Sequence, residues 1–157
     1  MKSGIVIGHL AIKNNEAAII RTAEAFGINN VYVIGKKQES YKAAEGCERH
    51  VNFFEFKNWD DFIGYARQNN HSIVSIENIG RSKEISEVER YPVNPIFITG
   101  HENTGIPEEV LYASSLCLKI EQGMGYANCL NTSTAMGIVL HDFFKKNKLN
   151  KSKKWEQ

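Results

Sequence analysis

The chain predicts one α/β domain built around a mostly parallel sheet, with helices packed on it. Three observations carry that expectation. Short apolar runs of strand character alternate with segments whose apolar residues recur at helical spacing. No internal repeat, and no linker long enough to split the chain, interrupts the alternation. The 157 residues are 42% hydrophobic and 24% charged, enough for a single core of reasonable size.

The elements follow in order. Ile5, Val6 and Ile7 mark a first strand that ends in Gly8-His9. Asn14 and Asn15 offer caps for the helix behind it, whose face is Ile19, Ile20, Ala23 and Phe26, with Gly27 as its stop. Residues 31–34 form the second strand, and the polar stretch 36–50 is expected to hold a short helix near 41–47. Residues 51–56 read as extended. The run Asn58, Trp59, Asp60, Asp61 resembles a capping box with Asp in place of Glu or Gln, and Trp59, Phe62, Ile63 and Ala66 face the core.

Residues 72–76 are the next strand, and the charged stretch 77–91 is expected to be a loop with a short turn. Pro95 opens the strand 95–99, where a missing N–H is tolerable. Pro107 suits a first helical position, with Glu108 and Glu109 matching the helix dipole. A strand at 116–120 precedes a last helix with Met136, Val139, Leu140 and Phe143 on one face. Burying both Phe143 and Phe144 in so small a chain suggests a partner surface. The expected domain spans residues 1–147, and residues 148–157 are expected to be a flexible basic tail.

The chain is organised around residues 116–135, LCLKIEQGMGYANCLNTSTA. They join a strand, a loop with Gly123 and Gly125, and a helix start at Asn131, Thr132 and Ser133, whose side chains accept from free first-turn N–H groups. A second such unit is residues 96–107, IFITGHENTGIP. In parallel sheets the ligand crevice lies beyond the carboxyl ends of the strands. Three such ends carry unusual chemistry: residues 99–103, residues 121–131, and Glu77-Asn78. Neither GxGxxG nor GxxxxGK[ST] follows the first strand, which argues against dinucleotide and phosphate-loop readings.

Composition narrows the classes. A formal charge of +1 argues against bulk coating of nucleic acid and leaves room for a local basic patch. No apolar run approaches the ~20 residues of a membrane helix, and the N-terminal residues lack a secretory pattern, so a cytoplasmic location is expected. Cys47, Cys117 and Cys129 are an odd set without CxxC spacing, consistent with a reducing compartment. Cys47 and His50 alone do not close a metal site, and no metal is expected. A hydrolase built on Cys129 with His101 or His141 has no further pattern behind it. Taken singly, Asn15 and Asn131 are helix caps, Arg21 is a solvated surface arginine opposite the apolar face of its helix, and Glu102 is a turn residue.

Jointly, three segments resemble a known family. Residues 15–23, NEAAIIRTA, are similar to the first motif of the TrmH-like (SpoU-type) RNA 2′-O-ribose methyltransferases of the SPOUT superfamily. Residues 98–107, ITGHENTGIP, resemble the second, a Gly-x-Glu followed by Gly-Ile or Gly-Leu. Residues 129–135, CLNTSTA, resemble the third, usually Ser-Leu-Asn-Val-Ser-x-Ala. All three stand in family order and span the domain nearly end to end.

The resemblance implies a single-domain SPOUT fold with a C-terminal trefoil knot, a homodimer formed through the C-terminal helix, and S-adenosylmethionine as cofactor. It implies methylation of RNA, with transfer RNA favoured because small stand-alone relatives commonly modify it, and ribosomal RNA as the alternative. Catalytic and substrate roles carry over to Asn15, Arg21, Glu102 and Asn131, and cofactor contacts to Ile76, Thr99, Gly100, Ile120, Cys129 and Leu130. Arg21 is expected to orient the target phosphate and stabilise a developing alkoxide, because a guanidinium stays protonated. Glu102 is expected to hold Arg21 or a motif loop. The chain departs from the pattern at Cys129 for serine, Glu121 for proline, Ala17 for glycine, and a third-motif loop one residue longer. A thiol is a poorer hydrogen-bond partner than a hydroxyl, which keeps a second class in view: a knotted RNA-binding module with little or no catalysis.

Overall fold

The computed structural model describes residues 2–123, 125–127 and 129–152. Seven strands form one sheet: β1 Gly4–Ile7, β2 Asn30–Ile34, β3 Asn52–Phe56, β4 Ser72–Ile76, β5 Lys83–Glu84, β6 Pro95–Thr99 and β7 Leu116–Lys119. Among the described residues, four α-helices pack on it: α1 Lys13–Ala25, α2 Trp59–Gln68, α3 Glu108–Ala113 and α4 Thr132–Ser152. The spatial order is β3-β2-β1-β6-β4-β7-β5, and each neighbouring pair runs parallel.

Strand β6 is flanked by β1 and β4, and all five of its residues are buried. That explains its unbroken apolar run, since a central parallel strand has no wet face. Alternation along it feeds two cores. Phe97 points into the cluster with Ile19, Ile20, Met136 and Phe143 from α1 and α4. Ile96 and Ile98 point into the other, with Phe62 and Val110 from α2 and α3.

The order reverses at β1. From there β2 and β3 extend to one side, while β6 and β4 extend to the other. The β1–β6 ladder is short, pairing only Gly4 with Ile96 and Ile5 with Phe97. Past that point the two strands have no ladder between them, whereas β4 stays paired with β6 out to Ile76 and Thr99. Gly8, at φ +92°, turns the chain off β1, and a Cβ there would sit 2.4 Å from the Ile34 carbonyl oxygen.

Several expectations shift. The helix expected near 41–47 is instead two 3₁₀ turns, Lys42–Ala44 and Cys47–His50, separated by Glu45 and Gly46 at positive φ. Residues 77–91 contain the short strand β5 and a 3₁₀ turn, Ile85–Glu87. Pro107 stands one residue ahead of α3 rather than inside it. Asn58 does cap α2, accepting from the Asp61 N–H at 2.9 Å. Helix α4 runs through Ser152. Residues 153–157 lie outside the described residues.

The partner argument from Phe143 fails. Its side chain is buried within its own chain, edge-on to Tyr91 and Phe97, and Met136, Val139 and Leu140 are buried with it. Phe144 is the aromatic that stays half-exposed, lying against Phe26 of the first helix's end.

Candidate active site

The carboxyl ends of β4, β6 and β7 open into a cleft of about 460 Å³. Ile76, Thr99, Gly100, Ile120, Cys129 and Leu130, the six residues expected at a cofactor, all border it. Glu102 and Asn131 border it as well. Asn15 reaches it through hydrogen bonds.

Those bonds form one chain through all three sequence motifs. Asn131 precedes α4, and its Oδ1 accepts from the N–H groups of Ser133 at 2.9 Å and Thr134 at 3.3 Å. It is therefore the cap its residue type predicts. Its Nδ2 is left to donate, and it does so to Asn15 Oδ1 at 3.2 Å. Asn15 Nδ2 donates in turn to Glu102 Oε1 at 2.8 Å. Asn15 is not a cap. It lies buried inside the first turn of α1, and Ile12 holds the cap position without a side-chain bond.

Glu102 supplies what Ile12 lacks. Its carboxylate accepts from Ala11 N–H at 2.9 Å and Ile12 N–H at 3.2 Å, at the start of α1. Partial burial would raise its carboxyl. The hydrogen bonds from its own N–H, Asn15, Ala11 and Ile12 outweigh that and pull it down to about 2. At neutral pH it is a fixed anion and an acceptor only. It grips the loop ahead of the first motif and Asn15 within it, and Arg21 is not among its partners.

Two further carboxylates shape the site. Glu77 Oε2 accepts from the Ile106 N–H at 3.2 Å, inside the second-motif loop. A Cβ on Gly100 would sit 2.6 Å from that same oxygen and 2.8 Å from the Gly105 Cα, so glycine is required there. Glu16 is fully buried in α1, and its Oε1 accepts from the Gly8 N–H at 3.0 Å and from Lys13 Nζ at 3.3 Å. His9 bridges the divergence between β1 and β6, its Nε2 lying 2.8 Å from the Thr99 carbonyl oxygen. Burial lowers its basicity, against partial opposition from that carbonyl. Sequence reasoning named Glu77 and His9 only as strand ends. The signal was their place directly after β4 and β1, where parallel sheets put their chemistry.

Arg21 is not brought to the cleft. It lies on the exposed face of α1, about 9 Å further along the helix axis than Asn15. Cys129 is exposed on the cleft wall. His101 borders the same cleft, but its Nδ1 accepts from the Asn103 N–H at 3.1 Å, and no hydrogen bond joins it to Cys129. His141 lies against Phe26 instead.

The sequence pattern of the SpoU rRNA Methylase family matches residues 3–141. The chain belongs to that family. A tRNA (guanosine(18)-2′-O)-methyltransferase of Borreliella burgdorferi is 31% identical over 130 residues, which cover 81% of this chain and 59% of the relative. The enzyme of the same name from Escherichia coli K12 is 24% identical over 132 residues, covering 82% of this chain and 57% of its own. The chain thus spans somewhat under three fifths of the length of these relatives. Among solved structures, the Aquifex aeolicus TrmH/SpoU tRNA modifying enzyme superposes with a TM-score of 0.83 at 22% identity, over 95% of this chain and 77% of that one. An AdoMet-bound rRNA methyltransferase of Sinorhizobium meliloti gives 0.80 at 22% identity, over 91% and 56%. These two likenesses establish the α/β fold with its parallel sheet.

Proposed function

We propose that this chain is an S-adenosylmethionine-dependent RNA 2′-O-ribose methyltransferase acting on transfer RNA. The observation that carries the reading is the hydrogen-bonded chain Glu102–Asn15–Asn131, which ties the three family motifs together at the rim of one cleft. The relatives named as tRNA methyltransferases support the substrate class.

The residues present fit the cofactor. The cleft has room for a nucleoside with a short tail, and Thr99, on its wall, keeps a buried hydroxyl without a partner. Ile76, Gly100, Ile120 and Leu130 would hold the group from three strand ends, with Thr99 and Cys129 beside them. When bound, S-adenosylmethionine supplies an electrophilic methyl group. The chain's own task is to align a ribose hydroxyl, ease its proton away and keep water out. Asn15 and Asn131 position the acceptor side of the cleft, and Glu102 locks Asn15. Arg21, permanently charged and exposed outside the cleft, would meet an RNA phosphate and so help to align the substrate.

The finer reading follows the family. Residues 1–147 form one SPOUT domain, and its C-terminal segment threads a trefoil knot. A homodimer would pair the patch of Phe26, Ile138, His141 and Phe144, where Ile138 and Phe144 are 36% and 41% exposed. No helix among the described residues is long and apolar enough to cross a membrane, in keeping with a cytoplasmic enzyme.

The test is methyl transfer from labelled S-adenosylmethionine to separated transfer and ribosomal RNA, followed by mapping of the labelled nucleotide. Label at a ribose of transfer RNA is expected. Label confined to ribosomal RNA would move the substrate. RNA binding without label would favour the non-catalytic module, to which the exposed Cys129 in the serine position lends its weight.

A further inference from the structure

Among the described residues, three buried side-chain atoms lack a hydrogen-bond partner: His9 Nδ1, Glu48 Oε2 and Thr99 Oγ1. Of these residues only Thr99 borders the cleft. Its residue is 2% exposed, so its hydroxyl has no ready route to bulk water. A buried hydroxyl without a partner is costly and calls for an explanation.

Alternation along β6 aims that hydroxyl. Phe97 points into the core under α1 and α4, so Thr99, two residues on, points to the same side of the sheet. On that side lie Asn131 and Ala135 at the start of α4, which also border the cleft. The Thr99 carbonyl is separately held. Past Ile5 and Phe97 the β1–β6 ladder has ended, and the His9 ring takes its place. A carbonyl only accepts, so the ring proton sits on Nε2, and the imidazole donates as a neutral group. Trp59 lies edge-on to the ring, with centroids 5.3 Å apart, and fixes its plane.

We infer that Thr99 Oγ1 is a side-chain contact to a polar group of the nucleoside bound in the cleft, and that His9 is the positioning residue that holds Thr99 for it. The inference rests on the cofactor reading above and deepens it, since it assigns a side-chain contact and its support. His9 works through the strand-end peptide and touches no ligand.

The test is calorimetric titration with S-adenosylhomocysteine beside thermal melting, on the full chain. Thr99→Val keeps shape and removes the hydroxyl. Affinity should fall roughly three- to tenfold, the worth of one neutral hydrogen bond, while the ligand-free melting temperature holds or rises because a stranded polar group has gone. His9→Phe keeps a ring against Trp59 and removes the donor, and affinity should fall by a similar factor. His9→Gln returns an N–H near the Nε2 position and should restore it. The double variant Thr99→Val with His9→Phe should bind no worse than Thr99→Val alone, because the two act on one contact. If His9→Phe binds as well as the parent, or fails to fold while His9→Leu folds and binds as well as the parent, the positioning role of His9 is overturned. If the parent binds and Thr99→Val binds equally well, the hydroxyl reads no ligand and the inference is overturned. If the parent binds no S-adenosylhomocysteine, the cofactor reading falls first, and this inference with it.

Discussion

Replacing Glu102 with glutamine keeps its length and removes its charge. In the parent, the carboxylate accepts from Ala11 N–H, Ile12 N–H and Asn15 Nδ2. A glutamine has one oxygen and one NH₂ group, so its amide nitrogen must face at least one donor. One charge-assisted bond is lost outright and the others weaken. Such bonds contribute ~1.5–3 kcal/mol each, and this one is partly solvated, so the expected loss is about 2 kcal/mol. For a domain of this size that is a fall of roughly 4–8 °C in melting temperature at neutral pH. The difference must depend on pH. The folded-state carboxyl sits at about 2, below the ~4.3 of an unfolded glutamate. Its contribution is therefore complete above the unfolded value and is lost as pH falls through the folded one. Melting curves of parent and Glu102→Gln between pH 7 and pH 2 should lie apart at the top of that range and converge at the bottom. A gap that stays constant down to pH 2 would refute the account of Glu102 as an anionic clamp on the start of α1.

Arg21→Ala should leave stability within ~0.5 kcal/mol, as for other exposed sites, yet lower single-turnover methyl transfer by ~10² through lost alignment of the RNA, with cofactor affinity unchanged; transfer at the parent rate would return Arg21 to an ordinary surface role. Asn131→Ala removes both the α4 cap and the donor to Asn15, so it should cost ~0.5–2 kcal/mol in melting experiments and also slow transfer. Gly100→Ala forces a Cβ to 2.6 Å from Glu77 Oε2 and 2.8 Å from the Gly105 backbone, and should weaken S-adenosylhomocysteine binding in calorimetry more than Gly123→Ala, which meets nothing within 4 Å. Phe144→Asp should turn a dimer to monomer in sedimentation at micromolar concentration without unfolding the chain, because Phe143 beside it keeps the core.

The elements that could be read from sequence are those whose determinants are local. Strand β6 begins at Pro95 as expected, and Asn58 caps α2 through its own side chain. Two covered faces make a parallel strand uniformly apolar, and a cap residue acts within three positions of itself, so both signals lie within a short window. The expected helix near 41–47 failed for a reason that no apolar count reveals. Glu45 and Gly46 adopt left-handed conformations, and the chain has to restart its turn after them. Phe143 was misjudged because composition cannot show that Tyr91 and Phe97, both far off in sequence, already enclose it.

The site separates along the same line. The cleft residues were within reach through the resemblance of three segments to the family motifs, together with the place of Ile76, Thr99, Gly100 and Ile120 at or just past strand ends. For Asn15 and Asn131 the residue type alone suggests a helix cap, and only the resemblance gives them a functional role, because a cap and a functional amide look alike in a sequence. The structure shows why the choice was false for Asn131. An asparagine carries an acceptor and a donor on one group. Here the oxygen caps α4 while the nitrogen reaches Asn15, so a single side chain sets the helix start and the edge of the cleft together. For Asn15 the choice was real, and the cap reading lost. A carboxylate 87 residues away binds its amide and also takes the Ala11 and Ile12 N–H groups, which leaves Asn15 free to join the other two motifs. Contacts of that range are set by which strands the fold brings side by side. The reversal of strand order at β1 brings the β1 and β6 ends together, and so it, rather than any residue alone, makes Glu102 a partner of Asn15.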